Sequence, residues 1–167
     1  MKKKFLIALL AIFLVIQFIR PSKNLSGDET YSVTSTYEVS EQVSNVLQAA
    51  CNDCHSNKTD YPWYAEIQPV GWWLSNHVNE GKRELNFSEF IKRPLAVQNH
   101  KFEETIEMVK EGDMPLPSYT WLGLHGEANL TQEQKDLITE WAQAQMDYLK
   151  ATYPADSLVR KRRGAPQ

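Results

Sequence analysis

The apolar positions of this chain fall into one unbroken run and several helical stripes. The run extends from Phe5 to Ile19, with Gln17 as its only polar member. It follows Lys2-Lys3-Lys4 and is closed by Arg20. A basic start before an apolar run is the pattern of a secretory signal or an N-terminal anchor. As a helix, the run reaches only ~22 Å against a hydrocarbon core of ~30 Å, with Lys4 and Arg20 able to snorkel at its two ends. Arg20-Pro21-Ser22-Lys23-Asn24 offers no A-x-A-like cleavage site. Residues 1–23 are therefore expected to be an uncleaved membrane anchor.

The stripes lie further along. Ser40 is placed to cap a helix through Ala50, with Val43, Val46, Leu47 and Ala50 at helical spacing. Pro69 suits the first turn of a second helix, whose apolar face collects Val70, Trp73, Leu74, His77 and Val78 and which ends near Gly81. Asn86 or Ser88 starts a short helix through Ile91, stopped by Pro94. Phe102, Ile106 and Val109 define a helix over 101–111, with Gly112 as its stop. Thr131 and Gln134 form a capping box. It opens a last helix with an inner stripe of Leu137, Ile138, Trp141, Ala144 or Gln145, and Tyr148. No strand pattern competes. The reading is an all-α domain over 40–153. A polar, Ser/Thr-rich linker over 24–39 precedes it, and a basic disordered tail over 154–167 contains Arg160-Lys161-Arg162-Arg163.

Charge sharpens this division. The net value of −3 hides two basic ends. Five of the 18 basic groups lie in residues 1–24 and four in 160–163, leaving nine against all 21 acidic groups in 25–159, a formal −12. So acidic a domain argues against nucleic acid as a partner. It suits either a partner protein with a basic surface, met by electrostatic steering, or simply a well-solvated exterior.

The chemistry is concentrated in Cys51-Asn52-Asp53-Cys54-His55. This C-x-x-C-H pattern is the attachment signature of a c-type haem. Two thiols form thioethers to the vinyl groups, and the adjacent imidazole is the proximal iron ligand. Other readings fare worse. A redox dithiol wants a βαβ context. A zinc site wants two more ligands at matched spacing, whereas there is no further cysteine and His77, His100 and His125 are scattered. A disulfide closing so short a loop is a poor staple. One covalent haem c per chain is expected, held by Cys51, Cys54 and His55.

Met114 is the expected sixth ligand. It lies 59 residues after His55, in the stiff loop Gly112-Asp113-Met114-Pro115-Leu116-Pro117. Met108 and Met146 sit on helices, the latter off the inner stripe. His77 is the rival ligand, read first as a core histidine or a donor to a haem propionate. His125 is a loop candidate, read first as a capping or surface residue, and His100 reads as exposed. Trp72 or Trp73 is expected against the porphyrin, because aromatic side chains bury much area at low entropic cost.

A helix feeding into C-x-x-C-H and a final amphipathic helix match the layout of a small cytochrome c. Cys51-Asn52-Asp53-Cys54-His55-Ser56-Asn57, Tyr61-Pro62-Trp63-Tyr64, Pro69, Trp72-Trp73, His77-Val78, Gly81 and Leu85-Asn86-Phe87-Ser88-Glu89 together resemble the small haem-binding-domain family. These are membrane-tethered, exported c-type cytochrome-like proteins. Met114-Pro115-Leu116 and His125 are similar to that family's pattern too, while Phe90 stands where a Trp is expected. The resemblance spans roughly residues 40–145 and implies covalent haem on a cytochrome-like fold. The expected function is single-electron transfer rather than catalysis. The expected location is the bacterial inner membrane, with the domain facing the periplasm, since c-type haem is joined on that side. The competing class is a haem enzyme or sensor with a displaceable sixth ligand.

Overall fold

The computed structural model describes residues 1–160, so the basic tail from Lys161 onward lies outside the described residues. Seven α-helices follow in order: α1 Lys2–Ile16, α2 Glu41–Ala50, α3 Asn52–His55, α4 Val70–Glu84, α5 Leu95–Glu111, α6 Pro117–Thr120 and α7 Gln132–Thr152. Short 3-10 turns connect them. Among the described residues extended pairing is limited to an isolated bridge between Leu25 and Lys58.

Local signals explain the boundaries. The Ser40 hydroxyl accepts the Val43 N–H at the start of α2, 3.3 Å away. Thr131 and Gln134 form the reciprocal capping box of α7. α4 begins one residue after Pro69 and runs past Gly81 to Glu84. α5 begins at Leu95, well before the expected 101, because the Pro94 carbonyl receives the Val97 and Gln98 N–H groups. Gln98 hid this turn from the apolar pattern. It is buried, accepting from the Tyr37 hydroxyl and donating to the Arg93 carbonyl. Gly112 ends α5 at φ 80°, a left-handed conformation that costs glycine little.

The core forms where α5 packs along α7, with α2 and the turn Phe87–Lys92 closing it. Phe102 is fully buried at its centre. Its ring meets Tyr37 and Trp141 edge-on at centroid distances of 5.0 and 5.6 Å, and Phe90 at 4.8 Å. Phe90, at the position expected to hold a larger ring, is thus a core residue. The inner face of α7 is Ile138, Trp141, Ala142, Gln145, Met146 and Leu149. Met146 is buried and Tyr148 is exposed, the reverse of the expected stripe. Contacts with both α2 and α5 widen and turn the buried face.

Residues 24–39, expected as a linker, are packed on the domain. Val33 and Tyr37 belong to the core. The Asn24 amide donates to the Ser56 carbonyl and the Thr59 hydroxyl, both at 2.9 Å. Leu158, within the expected tail, is buried as well. One apolar residue per turn in a polar context gives too weak a pattern to mark such a strap.

The N-terminus requires a correction. Among the described residues no helix is long and apolar enough to cross a membrane. α1 has 15 residues, ~22 Å of helix against ~30 Å of hydrocarbon, and it buries none of them. The fold is all-helical, but the expected N-terminal membrane anchor has no support, and so neither has the expected location as a singly anchored protein of the bacterial inner membrane. The segment after α1 is tied to the domain instead. Gln17 and Gln68 exchange side-chain-to-backbone hydrogen bonds of 3.1 and 2.9 Å. The Trp72 indole N–H donates to the Ile19 carbonyl at 2.7 Å. Arg20 and Lys23 both pair with Glu66.

Phe102→Ala removes the central ring of this core. Urea unfolding should show a loss of about 3–5 kcal/mol.

Candidate functional site

Cys51 closes α2 and opens α3, so the chain turns sharply at the first thiol. The Cys54 and His55 N–H groups both point back to the Cys51 carbonyl, at 3.1 and 2.9 Å. One helical turn therefore carries both sulfurs and the imidazole. Beyond it the chain is fixed by Asn57, whose N–H donates to the Ser88 hydroxyl and whose side-chain carbonyl accepts from Asn86, each at 2.9 Å.

α4 lies against α3 at a distance only glycine permits. A Cβ on Gly81 would sit 2.6 Å from the Cys54 carbonyl oxygen and 3.0 Å from the Cys54 Cβ. One turn on, the Leu85 carbonyl lies 2.9 Å from His55 Nδ1. A carbonyl can only accept, so Nδ1 carries the proton and Nε2 keeps the lone pair for a metal. Burial holds the imidazole below its ordinary pKa, against the raising pull of the Leu85 and Gly81 carbonyls, and so favours the neutral form. Burial likewise pushes the Cys51 thiol up to about 12 and the Cys54 thiol up to about 11, with smaller contributions from Cys54 and Asp53 respectively. The two thiols are not bridged.

These groups open onto a cavity of about 470 Å³, within the ~300–1,000 Å³ usual for cofactor sites. Cys51, Cys54, His55, His77, Met108 and Met114 bring sulfur or nitrogen to it. Leu85, Phe87, Val109, Pro115 and Leu116 give it apolar walls. His100, Lys101 and Glu104 also line it, with His100 paired to Glu104 at 2.9 Å. The expected axial pair, His55 and Met114, thus share one cavity. His77 reaches the same space, and its Nε2 is buried without a hydrogen-bond partner. Trp73 meets the His77 ring edge-on at 4.4 Å but is 48% exposed and does not line the cavity. Trp72 does not line it either and is engaged with Ile19.

The family model described as haem-binding domain matches residues 11–144. The chain belongs to the haem-binding-domain family. No curated protein and no solved structure matches it.

The haem-binding domain has the donor set its cofactor demands. It offers two thiols, a neutral imidazole with its tautomer fixed and two thioethers around one largely apolar space. The unpartnered His77 Nε2 is a buried polar atom of the kind that a bound group satisfies. Among the described residues no group of three or more His, Cys, Asp or Glu is arranged to hold a metal ion.

Sequence reasoning missed several contributors. Met108 lines the cavity from α5. His100 lines it also, although read as a surface residue. Asp53, between the two cysteines, accepts from the Tyr119 hydroxyl at 2.7 Å and from the Asp60 N–H at 2.9 Å. Tyr64 and His125 are joined at 2.6 Å. Gly81 carried a usable signal, since a glycine inside a helical pattern often marks close approach.

Gly81→Ala should force α4 away from α3 and cost about 1–3 kcal/mol. A purified preparation should show less haem per chain by pyridine haemochrome assay, while Gly126→Ala, at an open position, keeps the wild-type content.

Proposed function

We propose that this haem-binding protein is a single-electron carrier whose haem is covalently attached, one per chain, through Cys51 and Cys54, with His55 and Met114 as axial ligands. The observation that carries the reading is that these four side chains line one cavity, with His55 Nδ1 committed to the Leu85 carbonyl. Cys51 and Cys54 would hold the haem by thioethers, each S–H adding across one vinyl double bond, sulfur to one carbon and hydrogen to the other. The bound haem iron supplies a ferric/ferrous couple. His55 donates its Nε2 lone pair, and the Leu85 carbonyl on its other nitrogen strengthens that donor. Met114 offers a thioether, which favours ferrous iron and raises the potential relative to a second imidazole. Leu85, Phe87, Val109 and Leu116 keep water from the macrocycle. The acidic domain, −12 over residues 25–159, suits a redox partner with a basic surface.

One observation favours a second reading, a haem enzyme or sensor. His77 presents a buried, unpartnered Nε2 to the same cavity. It would serve as a distal hydrogen-bonding group beside a displaceable sixth ligand.

The oxidised protein should show a weak long-wavelength iron–sulfur charge-transfer band that is lost in Met114→Ala. Intact-mass analysis of denatured protein should show one haem retained on the wild type and none on the Cys51→Ser, Cys54→Ser double variant. High-spin iron that binds carbon monoxide readily in the wild type would favour the second reading.

A further inference from the structure

The loop that carries Met114 has little apolar anchorage. Between Gly112 and Thr131, Ala128 is the one described side chain that is fully buried. The Asp113 and Met114 N–H groups return to the Met108 carbonyl at the end of α5, at 3.0 and 3.1 Å. Beyond Met114 the backbone hydrogen bonds of the loop are internal, as in Tyr119 to Leu116 and Ala128 to His125. Side chains make the ties to the rest of the domain. The Tyr119 hydroxyl donates to Asp53 Oδ2 at 2.7 Å, reaching the residue between the two cysteines. The Tyr119 ring stacks on His125, with centroids 4.1 Å apart and planes 12° apart. His125 Nε2 lies 2.6 Å from the Tyr64 hydroxyl, and its Nδ1 faces Glu127 at 3.4 Å.

Both carboxylate oxygens of Asp53 are engaged in this arrangement. Its other oxygen accepts the Asp60 N–H at 2.9 Å. The carboxylate therefore sits between the segment that follows the motif and the loop that faces it. Burial and the neighbouring Asp53 charge raise the Tyr119 phenol above its ordinary pKa, so it stays a donor. Tyr119 itself lines the cavity, five residues beyond Met114.

We propose that Tyr119, held by Asp53 and stacked on His125, is the positioning residue that keeps Met114 at the haem cavity. The inference rests on Met114 as an axial ligand and adds what fixes it there. The loop is latched to the cysteine-bearing turn itself, so sulfur is presented only when that turn is formed. Release of the latch frees the sixth position for His77 or a small molecule.

The test compares full-length, haem-loaded wild type with Tyr119→Phe, Asp53→Ala and the double variant. Tyr119→Phe keeps the ring stack and deletes one hydrogen bond to a charged acceptor. Amide hydrogen exchange over 113–128 should quicken about tenfold or more, with exchange in α7 unchanged. Asp53→Ala should add little on top of Tyr119→Phe. The charge-transfer band should weaken and carbon monoxide binding should rise in step with the exchange. Unchanged exchange in Tyr119→Phe overturns the latch. Faster exchange with an intact band overturns the positioning role. A band missing already from the wild type sinks Met114 ligation instead, and the two failures are told apart by that one spectrum.

Discussion

The structure depends on how closely α4 can lie against the short α3 turn. Gly81 has no side chain at the point where the Cys54 carbonyl would collide with one. That contact brings the end of α4 low enough for the Leu85 carbonyl to reach His55. Tautomer, ring orientation and the direction of the free lone pair then follow from a single backbone acceptor. The arrangement costs no charged group and no extra buried polar side chain. It places the free imidazole nitrogen on a helix terminus rather than on a loop, the kind of placement that gives a binding site its precision.

The two halves of the site are built on different physics. The proximal half is covalent sequence and backbone packing: one turn, one glycine contact, one carbonyl. The distal half is a loop with little buried apolar surface, organised by phenols, an imidazole and a carboxylate. Low contact density is where local opening is expected. Local opening on the distal side suits either the carrier or the sensor reading.

What could be read in the sequence was what is local. Ser40 and the Thr131/Gln134 box declared their helices, because a cap is made within three residues. C-x-x-C-H declared its cofactor class because its donors are adjacent. The start of α5 was hidden because its buried inward residue is Gln98, whose partners Tyr37 and Arg93 come from elsewhere. The inner face of α7 was misread for a similar reason: two neighbours, not one, decide which residues are covered. Trp72 and Trp73 were assigned to the porphyrin on composition alone, whereas α4 turns Gly81 and His77 to the cavity and leaves the tryptophans off it. The apolar run at the start matched an anchor in composition and fell short in helix length.

The strap of residues 24–39 bears on where this domain starts. Tyr37 supplies a ring to the cluster around Phe102, and Asn24 holds the chain just past His55 through Ser56 and Thr59. The unit that folds is therefore wider than the stretch from α2 to α7. A gene trimmed to begin at Ser40 would encode a product with a hole at its centre and a loosened cofactor turn, however sensible the cut looked on a hydropathy plot.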